Sequence, residues 1–345
     1  MKSDRTKPEA QPRVTILDVA RAAGVSKSSV SRFLDERMPK SDSETAQRVR
    51  QIAIDMGYVR DVSASSLRRG KTGMIGVIVP RLTDTVMAML YESLAHAAAR
   101  SGQFTIVATT EDEPGADRRA ADILLRRGVD GLILSTARHG EDFTDELVDR
   151  GVPFVLTLRT DGKCRSSVGD DCLGGYLATR HLIDLGHRRI GLIAGPNYAS
   201  SATGRVEGYR KAMAEAGLAV DPEWIRSSTF GIESGGEAAR QLMALKESPS
   251  AIFAINDNTA IGALSALSRL GLSVPNDISL VGYNDIPVVS HLPTPLTSVK
   301  IPFEQIATAA FELLSSETVS ARERIRVAMP TLIPRSSSRP WSEKS

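Results

Sequence analysis

The chain has 345 residues, too many for one ordinary hydrophobic core and suited to a small module joined to one or two larger lobes. Hydrophobic residues make up 41% and charged residues 24%, which excludes disordered and fibrous classes. Net charge is only +2, but residues 1–70 hold 14 Lys and Arg against 9 Asp and Glu, as a polyanion-binding module attached to a near-neutral body would. Two cysteines, Cys164 and Cys172, are too few for a disulfide scaffold and have no zinc-ligand spacing, so reduced thiols are expected. The first 13 residues lack the apolar core of a secretory signal, and no run approaches the ~18 apolar residues of a membrane span. A cytoplasmic protein is expected.

Residues 1–13 are polar, contain Pro8 and Pro12, and read as a disordered arm. From Thr15, Ile16, Val19, Ala20 and Ala23 recur at helical spacing until Gly24 breaks the run. A second helix from Ser26 turns Val30, Phe33 and Leu34 inward. A third, over 43–56, puts Val49, Ile52, Ala53 and Met56 on one face, with Ser41 or Asp42 as its cap and Gly57 as its end. Beyond Gly73 the pattern becomes that of an α/β protein. MIGVIVP (74–80), FTIVATT (104–110), GLILS (131–135) and FVLTL (154–158) read as parallel strands buried on both faces, separated by helices near 86–101, 118–127 and 141–150. A second set of strands falls at 189–195, 225–230, 251–256 and 278–284, with helices near 205–216, 235–245 and 258–270. Two βα lobes in series imply a cleft where strand C-termini converge, the natural place for a ligand.

The segment LDVARAAGVSKSSVSRFLD (17–35) has the parts of a helix-turn-helix. Ala20 or Ala23 allows close helix crossing, Gly24 can adopt φ > 0, and Val25 anchors the turn. The second helix exposes short polar and cationic side chains at its start: Ser26 suits an N-cap and phosphate ligand, and Lys27, Ser28 and Ser31 suit base edges. By itself this pattern also fits a generic αα-hairpin with a solvated serine face.

The whole stretch resembles the signature of the lactose-repressor (LacI/GalR) family. So do, in order, Gly57-Tyr58, a hinge with Leu67, HLIDLGHRRIGLIAGP (181–196), Arg205 with Gly208-Tyr209, AINDNTAIGAL (254–264), DISLVGYND (277–285), PLTSVK (295–300) and PRSSS (334–338). The resemblance spans about 14–338. It implies an all-α helix-turn-helix headpiece (14–60), a hinge (61–72) and an α/β two-lobe periplasmic-binding-protein-like domain with parallel sheets (73–345) that binds an effector and dimerises. The implied function is a repressor binding operator double-stranded DNA, controlled by a small sugar-like molecule or acidic sugar derivative, with no cofactor and no metal. DNA contacts are implied for Thr15, Ser26, Lys27, Ser28, Ser29, Ser31, Arg32 and, in the hinge, Ala64 and Leu67. Leu67 would wedge into the minor groove while Arg68, Arg69 and Lys71 neutralise phosphates. Three departures stand out. Arg60-Asp61 replaces the usual Pro-Asn before the hinge, the DERMPKSD loop is one residue longer than in the lactose repressor, and Ser29 replaces a common Thr.

Carried over position by position, the effector site comprises Asp84, Ser135, Arg159, Asp170, Arg205, Phe230, Asn256, Asn284 and Phe303. Phe230 is expected to stack on a ring, with Arg205 and the Asp and Asn side chains bonding hydroxyls or a carboxylate. Positions often acidic in sugar-binding members are Leu158 and Asn284 here, which tilts the expectation toward an anionic sugar derivative or acid.

Among other classes, an enzyme is disfavoured: there is no GxGxxG after a strand, no GxSxG and no HExxH. Gly70-Lys71-Thr72 imitates the end of a phosphate loop but precedes a strand and has Ser65 where the first glycine should stand. His96, His139, His181, His187 and His291 show no metal-ligand spacing, and a structural role is expected for His187. A transporter's solute-binding protein would share the cleft but would need export and no headpiece. DNA binding by residues 1–72 separates the two readings. The C-terminal region has a strand-like stretch, RIRVAMPTLIP (324–334), and no apolar heptads, so a dimer is expected. Induction is the expected mode, with corepression open because the sign depends on which conformation the ligand prefers.

Overall fold

The computed structural model describes residues 14–35, 41–58, 71–316, 318, 320 and 323–342. The arm, most of the loop after the second helix, and the hinge with Ala64 and Leu67 lie outside the described residues. The chain divides into two compact units, Met1–Thr72 and Gly73–Ser345.

In the first unit, α1 (Ile16–Ala23), α2 (Lys27–Phe33) and α3 (Glu44–Asp55) enclose a core of Val19, Ala20, Ala23, Val30, Val49 and Ala53. Small side chains at Ala20 and Ala23 let the helices approach, and the half-buried Phe33, Leu34, Ile52, Met56 and Tyr58 close the periphery. Gly24 ends α1 at φ 63°, and Val25 then donates its N–H to the Ala20 carbonyl at 3.1 Å. Arg48 reaches across from α3 to the Ala23 carbonyl. The cap of α3 is Ser43, whose hydroxyl accepts from the Ala46 N–H at 3.3 Å, and not Ser41 or Asp42. The helix starts one residue later than the pattern suggested, and only the half-in residue can reach the orphan N–H.

The second unit has two six-stranded sheets. The first lobe contains β1 (Met74–Val79), β2 (Phe104–Thr109), β3 (Gly131–Leu134), β4 (Phe154–Thr157), β5 (Ser166–Gly169) and β11 (Ile325–Ala328), all parallel, in the order β11-β5-β4-β3-β1-β2. Its helices are α4 (Thr85–Arg100), α5 (Ala116–Arg126), α6 (Phe143–Asp149) and α11 (Phe303–Ser315). The second lobe contains β6 (Ile190–Ala194), β7 (Ile225–Ser227), β8 (Ala251–Ala254), β9 (Ser279–Asn284), β10 (Thr297–Lys300) and β12 (Thr331–Ile333), in the order β12-β10-β9-β8-β6-β7. Only β12 runs antiparallel to its neighbour among these described strands. Its helices are α7 (Asp171–Asp184), α8 (Ser200–Glu215), α9 (Ile232–Met243) and α10 (Asp257–Arg269).

The chain passes between lobes at Asp170, at 301–302 and at 329–330. The third passage splits the expected single strand over 324–334 into β11 and β12, in different sheets, because Pro330 cannot donate to a ladder. The strand over 104–110 is not buried on both faces. As β2 it is the sheet edge, with Phe104 exposed.

The sequence pattern did not reveal α7, and the reason lies in its packing. Gly174 and Gly175 weaken helix propensity, yet a Cβ on Gly175 would lie 2.2 Å from the Arg205 carbonyl oxygen, and one on Gly174 2.2 Å from the Tyr283 hydroxyl. Glycine there is what lets α7 lie against α8 and Tyr283. Strand β5, Ser-Ser-Val-Gly, is buried although half its residues are serine. Ser167 satisfies its hydroxyl on the Ile306 carbonyl of α11 at 2.8 Å.

Candidate DNA-reading face and effector cleft

On the headpiece, Thr15 caps α1. Its N–H and hydroxyl both donate to Asp18 Oδ2, at 2.9 and 2.7 Å, which holds the Asp18 carboxyl below the usual carboxylate range. Ser26 caps α2, accepting from the Ser29 N–H at 3.1 Å, and its hydroxyl also meets those of Ser28 and Ser29 at 2.8 and 2.9 Å. Thr15, Ser26, Lys27, Ser28 and Arg32 are exposed, while Ser29 and Ser31 are half-buried. The start of α2 thus presents a cluster of hydroxyls beside one ammonium group, the donor and acceptor set that a major-groove edge requires.

In the second unit a cavity of about 310 Å³ opens at the C-terminal ends of both sheets. Six of the nine expected effector residues line it: Asp84, Arg159, Arg205, Phe230, Asn256 and Asn284. Three do not. Ser135, just past β3, is fully buried, its hydroxyl 2.8 Å from that of Thr157. Asp170 spends its carboxylate as the cap of α7, accepting from the Leu173 N–H at 2.8 Å. Phe303 begins α11 and packs into the core at the second passage between lobes. All three flank the passages or strand ends near the cleft, so resemblance by position located the neighbourhood but not the side-chain direction.

The lining also contains Arg81, Glu111, Asp112, Tyr198, Ser201 and Thr229, which the sequence reading missed. Five of them stand in the loops that follow strands, Arg81 after β1, Glu111 and Asp112 after β2, Tyr198 after β6 and Thr229 after β7, and Ser201 lies in the first turn of α8. Collecting the residues after every strand C-terminus would have found them.

Backbone strain gathers here. Among the described residues, non-glycine positive φ occurs at Glu111 (54°), Asp112 (61°), Leu158 (60°), Phe230 (66°), Asn284 (102°) and Asp285 (55°), and all but Asp285 line the cavity. Each such conformation costs on the order of 1–3 kcal/mol and must be enforced by its surroundings. At Phe230 the enforcement is visible, since Asn256 Nδ2 donates to the Phe230 carbonyl at 3.0 Å while Asn256 Oδ1 caps α10 on the Thr259 N–H at 2.9 Å.

The two walls are joined by polar contacts. Asp84 caps α4 and accepts from Asn258 Nδ2 of the opposite lobe at 3.2 Å, and burial pushes its carboxyl up. Tyr198, from the second lobe, donates its hydroxyl to Asp112 Oδ2 at 2.9 Å and accepts the His139 N–H on its carbonyl at 2.8 Å. Arg138 lies 3.6 Å above the Tyr198 ring. At the base, Arg205 is buried. Its Nε donates to Asp171 Oδ1 at 2.8 Å, its Nη1 to the Ile255 carbonyl at 2.8 Å, and its guanidinium stacks 3.7 Å from the Tyr283 ring centre.

A three-helix headpiece with a polar α2 start, carried on the same chain as a two-lobed unit with a polar cleft at its strand ends, defines the class: a helix-turn-helix DNA-binding protein with a ligand-binding domain. Residues 15–61 match the model for bacterial regulatory proteins of the lacI family, and 179–338 match a periplasmic binding protein-like domain. The chain is 32% identical over 316 residues to the HTH-type transcriptional repressor PurR of Photobacterium profundum, covering 91% of this chain and 94% of that protein. The structure of the lac repressor dimer bound to operator and the anti-inducer ONPF aligns with a TM-score of 0.83 at 26% identity, over 95% of this chain and 100% of that one. The transcriptional regulator CelR in complex with cellobiose aligns with a TM-score of 0.72 at 28% identity, over 94% and 100%. The chain belongs to the lacI family of bacterial regulatory proteins. It is a DNA-binding transcriptional regulator with an effector-binding domain. No helix among the described residues is long and apolar enough to cross a membrane.

Proposed function

We propose that the chain is a cytoplasmic, non-catalytic repressor in which a headpiece (14–60), a hinge (61–72) and a two-lobed effector and dimerisation domain (73–345) act in series. Two headpieces of a homodimer place α2 in successive major grooves of a roughly palindromic operator. Lys27 and Ser28 read base edges, and Ser31 supports them. Thr15, Ser26, Ser29 and Arg32 hold the phosphates, and the hinge, through Ala64 and Leu67, enters the minor groove. A small polyhydroxylated molecule with a ring face occupies the cleft, stacked on Phe230 and bonded by polar groups at the strand ends. It relieves repression by changing how the lobes close on the hinge side.

The observation that carries this reading is the pairing on one chain of an exposed Ser-Lys-Ser helix start with a 310 Å³ polar cleft. Selection of genome fragments with the full-length protein, repeated with a panel of sugars, sugar acids and polyols, tests it. The expected result is one palindromic site whose recovery responds to one compound. Lys27→Ala should relax base choice at one symmetric position, at a cost of about 1–3 kcal/mol in discrimination. An unchanged site profile for that variant removes Lys27 from base reading.

A further inference from the structure

Arg159 brings to the cleft a recognition chemistry for an anion, a planar guanidinium just past β4 and beside Phe230. It is not available to a ligand in this structure. Asp112, delivered by the left-handed Glu111–Asp112 corner after β2, meets it with both oxygens: Arg159 Nη1 donates to Oδ1 at 3.0 Å and Nη2 to Oδ2 at 2.9 Å. This is the fork-to-fork geometry in which arginine binds a ligand carboxylate. The pair is nearly enclosed, with 5% and 13% of the two side chains exposed. Tyr198 donates to Asp112 Oδ2, and Arg138 donates to the Asp112 carbonyl at 2.8 Å, so the carboxylate is fixed from both lobes. Burial alone would raise the Asp112 carboxyl, but Arg159, Tyr198 and Arg138 hold it below the usual range, so it stays ionised and the pair stays formed. Around the cavity the formal charges cancel, with Arg81, Arg159 and Arg205 facing Asp84, Glu111 and Asp112.

We infer that Asp112 is a specificity-determining residue of the cleft: it occupies Arg159 as an internal carboxylate and so selects an uncharged polyhydroxylated effector over its acidic counterpart. An incoming anion would have to evict a carboxylate already hydrogen-bonded by Arg159 and Tyr198 and would leave that carboxylate buried without its cation. A neutral ligand takes the remaining space without disturbing the pair. Leu158 and Asn284, which pointed toward an anionic effector, register two carboxylates absent at familiar positions; Glu111 and Asp112 bring carboxylates to the same cavity from another loop. The inference rests on the cleft being the effector site.

The test uses sodium acetate, the simplest equivalent of the Asp112 carboxylate, titrated into full-length protein against sodium chloride at constant ionic strength, with melting temperature as the readout. Asp112→Asn, and Asp112→Ser should the first variant fold poorly, is expected to gain saturable acetate binding about tenfold tighter than the natural protein. The gain should vanish when Arg159→Gln is added. Equal acetate affinity in the natural protein and both variants, or acetate binding by the natural protein that depends on Arg159, overturns the inference. Such a failure leaves the effector reading standing, since that reading fails on a different result: no compound of the panel altering operator binding.

Discussion

Asp171→Ala is expected to destabilise the two-lobed unit by about 3–5 kcal/mol, measured by urea denaturation of the full-length protein. The effect is large because of what the substitution leaves behind. Arg205 is buried, always charged, and pinned between the Tyr283 ring and the Ile255 carbonyl, so it cannot turn to solvent when its carboxylate is removed. Tyr283 loses a partner in the same step, because its hydroxyl donates to Asp171 Oδ1 at 3.1 Å. The loss is therefore that of an uncompensated buried cation plus an orphaned hydroxyl. Replacing both charged partners, as Asp171→Asn with Arg205→Met, is expected to cost less than the sum of the single changes, since no charge then remains buried alone. A loss below about 1 kcal/mol for Asp171→Ala would mean that Arg205 finds water or another acceptor, and that the pair does not define the base of the cleft.

Gly262→Ala should produce the second large effect, through sterics alone. A Cβ on Gly262 would lie 1.8 Å from the Ile232 carbonyl oxygen, and across the same contact a Cβ on Gly235 would lie 2.4 Å from Thr259 Cα. Both obstacles are backbone, so no rotamer change relieves them, and α9 and α10 must separate. Overpacking of this kind costs about 1–3 kcal/mol, occasionally more. The displacement would be felt at the cleft, because α10 begins at the Asn256 cap and carries Asn258, the partner of Asp84. A thermal melt shows the stability loss, and an unchanged melting temperature would show that the two helices are not held at that spacing.

These contacts also indicate what could be read in advance and what could not. The headpiece was legible almost residue by residue, because an eight-residue and a seven-residue helix around a tight turn leave little choice. Apolar spacing gives Val19, Ala23, Val30 and Val49, and Gly24 supplies the left-handed residue that the turn requires. The central strands were legible for a similar reason, as short continuous apolar runs buried in parallel sheets. The helix α11 escaped although Phe303, Ile306, Ala307, Ala310 and Phe311 recur at helical spacing, and two further elements escaped because their local signal opposes their final state. α7 contains two adjacent glycines and β5 two adjacent serines, and each is fixed by a partner far along the chain, Arg205 and Tyr283 for the helix and Ile306 for the strand. The cleft behaved likewise. Arg159 and Phe230 were placed at the cavity by resemblance, but Asp112 was not, since its position there comes from a left-handed corner and from Tyr198, 86 positions later. Ser135, Asp170 and Phe303 show the converse: a position carried over along the chain does not determine whether a side chain caps a helix, enters the core or faces the cleft.

Control of operator binding by occupancy of the cleft is tested most directly by titrating full-length protein onto its selected operator, followed by fluorescence anisotropy. The titration is run with and without each compound of the sugar, sugar-acid and polyol panel, in the natural protein and in Phe230→Ala. An uncharged polyol or sugar is expected to change operator affinity by about tenfold or more in the natural protein. Phe230→Ala, which removes the stacking face, should keep operator affinity in the absence of compound and lose most of the response. A response of undiminished size in Phe230→Ala, or no response to any compound by a protein that binds its operator, would contradict control through the cleft.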